Sequence, residues 1–348
     1  MDAHQPATPP AMPPATPATT HLGRAVGGLA GAIGVAAGVL VLGCVFTIGL
    51  AIGAVTMFAG SIVDSAVIGE LYRDGDNDTI AVIPIEGVID EYQAQTVRLF
   101  VDKVLADSTM KAVVLRVDSP GGGVAASDQI WYQVRRLRNE GLPVVSSYGG
   151  VAASGGYYVS CATDHILAEP TCITGSIGVI AQTFIFKDLM DKVGIEPVTL
   201  ISSASPAKDL GNPFREWTDD DRDKYRDMLD AAYDIFNQRV RDGRSRAISD
   251  PQRIDELADG SVYTAAQAVS SGLIDGIGYL DDAIAHAENL AGLAPGAASV
   301  IVLRQRPSLI DDLMMSARTD VRSQLRSADG IRSLVNELAV PRLMYLMR

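Results

Sequence analysis

Between Ala25 and Val63 no charged residue interrupts the chain, a run of 39 positions bounded by Arg24 and Asp64. A bilayer core of about 30 Å is crossed by about 20 helical residues. One span over residues 35–57 therefore fits, with apolar positions to spare, and two short spans joined by a glycine turn would just fit. A cleaved signal peptide fits less well, because its apolar region is about 7–15 residues. Residues 1–24 ahead of the run are rich in Pro, Ala and Thr; such a stretch buries little apolar surface and reads as a disordered tail. Arg24 precedes the run, and Asp64 and Glu70 follow it. The positive-inside tendency then puts the N-terminus in the cytoplasm and the rest of the chain outside.

From Thr79 the pattern changes to short apolar runs alternating with helical spacing. Residues 80–85, 112–117 and 143–147 read as buried strands. Residues 166–168, 178–180 and 198–201 are further strand candidates. Helical spacing covers 95–105, 127–139 and about 187–193, and an apolar helix follows the glycines of 149–156 to about Ala162. A long charged helix over 219–241 opens at Thr218, a suitable N-cap, with acids in its first turn. Thr264 caps a helix over 265–271 that Gly272 stops. Strands alternating with helices imply an α/β fold with a largely parallel sheet and right-handed crossovers. No internal repeat marks this body.

Composition narrows the chemistry. The net charge of −13 over 348 residues argues against nucleic acid, which favours a basic footprint. Three cysteines give no disulfide framework, and no CxxC pair suggests zinc. Cys44 lies in the uncharged run, and Cys161 and Cys172 read as buried free thiols in preference to a disulfide.

Glycine-rich turns at 121–123 and 149–156 follow strands, where glycine lets backbone N–H groups approach a ligand. Neither reads GxGxxG, and no P-loop is present. Ser154 sits in the second turn, at the start of a helix, as an N-cap or a nucleophile. A nucleophilic serine needs a base. His165 begins a strand and reads as half-buried; His286 lies in a late polar helix and reads as solvent-facing. Of the six lysines, Lys103, Lys187, Lys192 and Lys224 read as solvated helix positions, and Lys111 precedes a strand. Lys208 differs, in a loop between a strand and the long helix, where it is an exposed loop cation or a base. Asp118 reads as stabilising its turn, Arg116 as half of a structural ion pair, and Tyr157 and Tyr158 as helix packing.

Five motifs then occur in order: Asp118-Ser-Pro-Gly-Gly122, Ala153-Ser-Gly-Gly-Tyr-Tyr158, Thr174-Gly-Ser-Ile-Gly-Val179, Lys208-Asp-Leu-Gly211, and Val262-Tyr-Thr-Ala-Ala-Gln-Ala268 with Gly272-Leu-Ile-Asp275. Over residues 80–292 the chain resembles the signal peptide peptidase A (SppA) family in its short, single-repeat bacterial form. The resemblance implies repeated ββα units like those of the Clp protease and the crotonases. With it the chain divides into a tail (1–24), a transmembrane segment (25–63), a peptidase domain (64–294) and a basic extension (295–348).

The same resemblance implies a membrane-bound serine endopeptidase with a Ser/Lys dyad. Ser154 would be the nucleophile, Lys208 the general base and Ser176 the residue that orients the lysine. The N–H groups of Gly121 and Gly155 would form the oxyanion hole, and no metal or organic cofactor would take part. The substrates would be remnant signal peptides and related apolar peptides at the bacterial inner membrane, with the catalytic domain outside the cytoplasm. The implied assembly is a homo-oligomeric ring with sites at subunit contacts, where Lys208 serves its own Ser154 or a neighbour's. A general membrane-protein quality-control protease, a crotonase-like acyl-CoA enzyme and an inactive membrane scaffold are the alternatives. Residues 301–348 hold eight arginines, no lysine and five acids. This tail is a solvated helix, a membrane-surface segment or a subunit contact, and residues 339–346 are apolar enough to enter a peptide groove as a substrate would.

Overall fold

Two of the apolar runs build the middle of a sheet, and their neighbours explain why apolar residues follow one another there without alternation. Residues 80–85 lie in β2 (Asp76–Ile89) and 112–117 in β3 (Met110–Gly123). Successive strand side chains point to opposite faces. Here Ile80, Val82, Ala112 and Val114 enter one buried cluster, while Ala81, Ile83, Ile85, Val113, Leu115 and Val117 enter a larger one. With both faces covered, both sets of alternating positions are apolar, Arg116 excepted. The computed structural model describes residues 67–305 and 342–346. The expected tail (1–24) and transmembrane segment (25–63) lie outside the described residues. The chain forms two compact units, 1–64 and 65–348, and the sheet and its helices belong to the second. Among the described residues no helix is long and apolar enough to cross a membrane.

The other strands of the main sheet are β1 (Val67–Arg73), β4 (Val144–Ala153), β5 (His165–Ala168), β9 (Gly276–Ile277) and β10 (Ala298–Gln305). Their order is β1-β10-β2-β3-β4-β5-β9. All neighbours are parallel except β1, which runs antiparallel to β10. Strand β10 lies inside the sheet, so the body continues past residue 294, where the basic extension was expected to begin. Helices α1 (Glu91–Ala106), α2 (Val124–Asn139), α3 (Gly155–Ser160) and α5 (Asp219–Arg244) contribute to the larger cluster. Helix α8 (Leu280–Leu290) covers the other face with Ala283, Ile284 and Ala287. The remaining helices are α4 (Lys187–Val193), α6 (Pro251–Leu257) and α7 (Ala265–Ser271). Thr218 and Thr264 close capping boxes with Asp221 and Gln267, and Gly272 ends α7 at φ 82°, as the sequence led one to expect.

Four short strands branch from this sheet at one end. Strand β6 (Ile173–Gly175) pairs with the end of β4, and β8 (Val262–Thr264) pairs with β6. Strand β11 (Arg342–Leu346) pairs with the glycine-rich end of β3, and β7 (Ile180–Gln182) pairs with β11. The strand expected at 178–180 is therefore displaced to 180–182. The strand expected at 198–201 is absent: these residues are irregular, and Val198 and Leu200 are 77% and 91% exposed. Among the described residues no strand pairs with this apolar run.

A part-buried ion pair, with only Arg244 fully enclosed, ties α5 to the sheet's far edge. The Arg244 guanidinium donates to both oxygens of Asp275 at 2.9 and 2.7 Å, and its Nε donates to the Gly272 carbonyl at 2.9 Å. Burial alone pushes the Asp275 carboxyl up; its bonds with Arg244 more than offset this and leave it below the usual carboxylate range.

Candidate active site

The register between β4 and β6 places two serines side by side. Ala153 pairs with Gly175, so Ser154 and Ser176 each follow one member of that pair. The Ser154 N–H donates to the Gly175 carbonyl at 2.7 Å, and the Ser176 N–H to the Ser261 carbonyl at 2.7 Å. Both serines have positive φ, 52° and 51°. Ser154, with ψ −113°, occupies the glycine-favouring first position of a type II′ turn. Such a conformation persists only where the surroundings hold it. Here it turns the chain from β4 into α3. The Ser154 side chain is fully buried, and among the described residues its Oγ has no hydrogen-bond partner.

The start of α3 is pressed against the glycines of β3. A Cβ on Gly155 would stand 2.5 Å from Ser127 Oγ, 3.1 Å from the Gly122 nitrogen and 3.2 Å from the Gly121 Cα; one on Gly156 would stand 3.0 Å from the Ser119 carbonyl oxygen. Only glycine fits at 155. Gly121 has φ 106°, and its N–H donates to Ser119 Oγ at 3.1 Å, which in turn donates to the Gly87 carbonyl at 2.6 Å. The amide expected to help hold an oxyanion is thus engaged by Ser119 in this structure. The adjacent Gly122 nitrogen lies closer to Gly155. Ser119, Gly122 and Ser127 were not singled out from the sequence; the signal was the Ser-Pro-Gly-Gly-Gly string ending a strand. Asp118 accepts from the Val151 N–H at 3.1 Å, Arg116 pairs with Glu169 at 2.5 Å, and the Tyr157 hydroxyl donates to the Leu273 carbonyl at 2.8 Å. Arg116 and Tyr157 have the structural roles expected of them; Asp118 is structural too, but it holds the second glycine-rich turn and not its own.

Ser176, 8% exposed, lines a cavity of about 430 Å³ with Ile177, Asp230, Tyr233, Asp259 and Val262. Lys208 lies elsewhere, solvent-exposed on a 3₁₀ turn, Pro206–Asp209. Among the described residues its amine makes no hydrogen bond or ion pair, and Ser154 Oγ has no partner, so the two are not hydrogen-bonded to each other in this structure. The turn carrying Lys208 is nevertheless fixed. Arg215 donates to both oxygens of Asp221 at 2.6 and 3.0 Å and to Asp209, and Asn212 donates to Asp209 at 2.7 Å. Hydrogen bonds from Arg215 hold both carboxyls below the usual range. The segment leading to this turn exposes Phe184, Ile185, Leu189, Val193, Val198 and Leu200.

The two described histidines, His165 and His286, lie together away from Ser154. His286, expected to face solvent, is half-buried and stacks on His165 at 3.8 Å, and His165 Nδ1 is 3.7 Å from Asp275. Cys161 and Cys172 are buried free thiols, as expected, and burial pushes both up to about 12.

The sequence profile of Peptidase family S49 matches residues 136–294. A putative signal peptide peptidase SppA of Enterococcus faecium is 33% identical over 225 residues, 62% of this chain and 64% of that protein. A putative protease of Synechocystis sp. is 32% identical over 239 residues, 69% of this chain and 84% of that protein. Protease 4 of Salmonella typhi is 35% identical over 222 residues, 64% of this chain. The chain spans about a third of that protein, 35% of its length. Among solved structures, a membrane-bound stomatin-specific protease superposes with a TM-score of 0.42 at 17% identity, over 68% of this chain and 96% of that one.

Proposed function

The chain belongs to peptidase family S49, and we propose that it is a membrane-anchored serine endopeptidase that cleaves apolar peptides, remnant signal peptides among them. The observation that carries the proposal is the setting of Ser154. Its hydroxyl is buried without a partner on a strained turn, beside Ser176 and against the glycines of β3. An unpartnered buried hydroxyl costs about 1–3 kcal/mol and is tolerated where a mechanism uses it.

In the proposed reaction Ser154 Oγ attacks the scissile carbonyl and its proton passes to the neutral amine of Lys208. That proton then goes to the departing amine, leaving an acyl-enzyme on Ser154. A water, deprotonated by the same lysine, releases the acyl group. Ser176 orients the amine. The oxyanion takes N–H bonds from Gly155 and from the Gly121–Gly122 turn. One such donor is typically worth about 3–4 kcal/mol.

Lys208 reaches a serine by assembly in this reading. The exposed apolar segment at 184–200 is the surface a neighbouring copy would cover, and seating there would take Lys208 out of water. Desolvation favours the neutral amine that a base requires. The full chain in detergent tests this against a fluorogenic apolar peptide and a synthetic signal peptide. Wild type should cut both; Ser154→Ala and Lys208→Ala should be inactive, and mixing the two should restore part of the activity. Equal cleavage by all three would sink the dyad. Inactive mutants with no recovery on mixing would place both groups in one chain.

A further inference from the structure

Five arginines converge on one cavity of an acidic protein. Arg135 and Arg138 of α2, Arg239 and Arg244 of α5, and Arg246 just beyond it line a space of about 620 Å³. The whole chain carries a net charge of −13, yet only three carboxylates, those of Asp164, Asp242 and Asp275, line the same space. The lining thus holds an excess of two positive charges. Sites for small ligands typically measure about 300–1,000 Å³. Ser154 and Ser176 take no part in this one.

Three of the five cations are tied down. Arg244 is held by Asp275. Arg138 meets Asp164 at 2.6 Å and donates to the Ala162 carbonyl at 2.9 Å. Arg239 donates to Asp128 and to the Tyr158 hydroxyl, both at 3.3 Å. The remaining acid, Asp242, accepts from Gln238 at 2.7 Å. Among the described residues Arg135 and Arg246 make no hydrogen bond or ion pair, and both are exposed. Arg135 nevertheless stays beside another cation: it and Arg239 lie over the same Trp131 ring, their Cζ atoms 5.7 and 3.7 Å from its centroid. Two cations on one indole repel each other, and an anion seated among them reverses the balance. The frame is rigid, because a Cβ on Gly243 would stand 2.3 Å from the Cys161 carbonyl oxygen, so α5 abuts the end of α3 backbone to backbone. An adjoining hollow of about 580 Å³ shares Arg135, Arg138 and Arg246 and adds the apolar side chains of Leu142, Pro143 and Leu290.

We propose that this cleft is a binding site for a phosphate monoester, its dianion held between Arg135 and Arg246 and its organic part laid along Leu142, Pro143 and Leu290. The excess of two positive charges matches a dianion, and the planar fork of a guanidinium matches two phosphate oxygens at once. Charge at one end of the cleft and apolar surface at the other suit an ester more than a bare ion. A soluble monoester and a lipid with a monoester headgroup present the same chemistry, and the affinities of the two tell them apart. The site does not depend on the peptidase reading.

The test uses the full chain in detergent. The protein has two tryptophans, and Trp217→Phe, which keeps a ring against Tyr225, leaves Trp131 as the only fluorescent indole. Inorganic phosphate, glycerol 3-phosphate and dihexanoyl phosphatidic acid are titrated at constant ionic strength, with sodium chloride as the blank. Expected is a saturable change in Trp131 emission at one ligand per chain. Arg135→Gln and Arg246→Gln should each raise Kd by about 10-fold or more, as loss of a hydrogen bond to a charged group does. Arg246→Lys, which keeps the charge and loses the fork, should fall between, and Arg226→Gln, elsewhere on α5, should bind as the parent does. Since Arg135 and Arg246 hold no other residue, near-ultraviolet circular dichroism should be unchanged; were a glutamine variant to fold poorly, Arg246→Lys still decides. Similar affinity for the two esters would support a soluble ligand, and affinity at least about 10-fold tighter for phosphatidic acid would support a lipid. A response that does not saturate, one that sodium chloride reproduces, or an unchanged Kd in both glutamine variants would overturn the site.

Discussion

Ser154 should make the protein less stable than it could be, and the structure gives the size of the effect. Its hydroxyl is buried without a partner, a state costing about 1–3 kcal/mol. Its φ of 52° and ψ of −113° add about 1–3 kcal/mol of backbone strain. Ser154→Ala removes the hydroxyl and keeps the strain, so a gain near the low end, about 1 kcal/mol, is expected. Ser154→Gly relieves both, less about 0.5–1 kcal/mol for the added freedom of the unfolded chain, for a net gain of about 2 kcal/mol. At about 2–4 °C per kcal/mol for a body of this size, Tm should rise by about 3 °C and about 6 °C. Calorimetry and urea unfolding on detergent-solubilised protein, diluted until light scattering reports single chains, would measure it. The order Gly above Ala above wild type is the prediction. A loss of 1 kcal/mol or more in Ser154→Ala would refute the reasoning, because it would mean that the hydroxyl is hydrogen-bonded in the folded chain.

Three further outcomes are expected. Arg215→Ala releases the turn that carries Lys208 from Asp209 and Asp221; kcat/KM for the apolar peptide should fall by about 10–100-fold with little change in Tm, as misplacement of a catalytic group does. Burial holds His165 below its ordinary value, against the opposing pull of Asp275 and with that of His286. The unfolded chain then binds more protons between the folded value and about 6.5, so stability should be full above about pH 6.5 and fall as pH drops through that window; His165→Gln should flatten the dependence in urea titrations. With thiols pushed up to about 12, Cys161 and Cys172 should resist maleimide at pH 8 in the folded protein and react in urea, as peptide mapping would show.

What the sequence disclosed and what it hid follow from the range of the interactions involved. Strands β2, β3 and β4 were legible because burial on both faces writes itself as consecutive apolar residues (80–85, 112–115 and 144–145). Helices α5 and α7 were legible because their capping boxes lie within four residues. The turn at Ser154 was legible because glycines at 155 and 156 answer a local collision. Strand β7 was misplaced because its partner is β11, some 160 residues away. Residues 198–201 read as a strand because apolar side chains look alike whether they face a core or a surface awaiting a partner. The nearness of Ser154 to Ser176 came only from resemblance; the structure supplies its cause in the pairing of Ala153 with Gly175.

The place of β10 governs the order in which the body can be completed. Val67 in β1 pairs with Gln305, and β10 is the one strand β1 pairs with among the described residues. At about 5–20 residues per second of synthesis, the 238 residues between them take roughly 12–48 s to emerge. During that interval β1 is an unpaired edge and the outer side of β2 stands open. A chain stopped at residue 297 would never close either one, so one missing strand near the end would undo the sheet at its beginning.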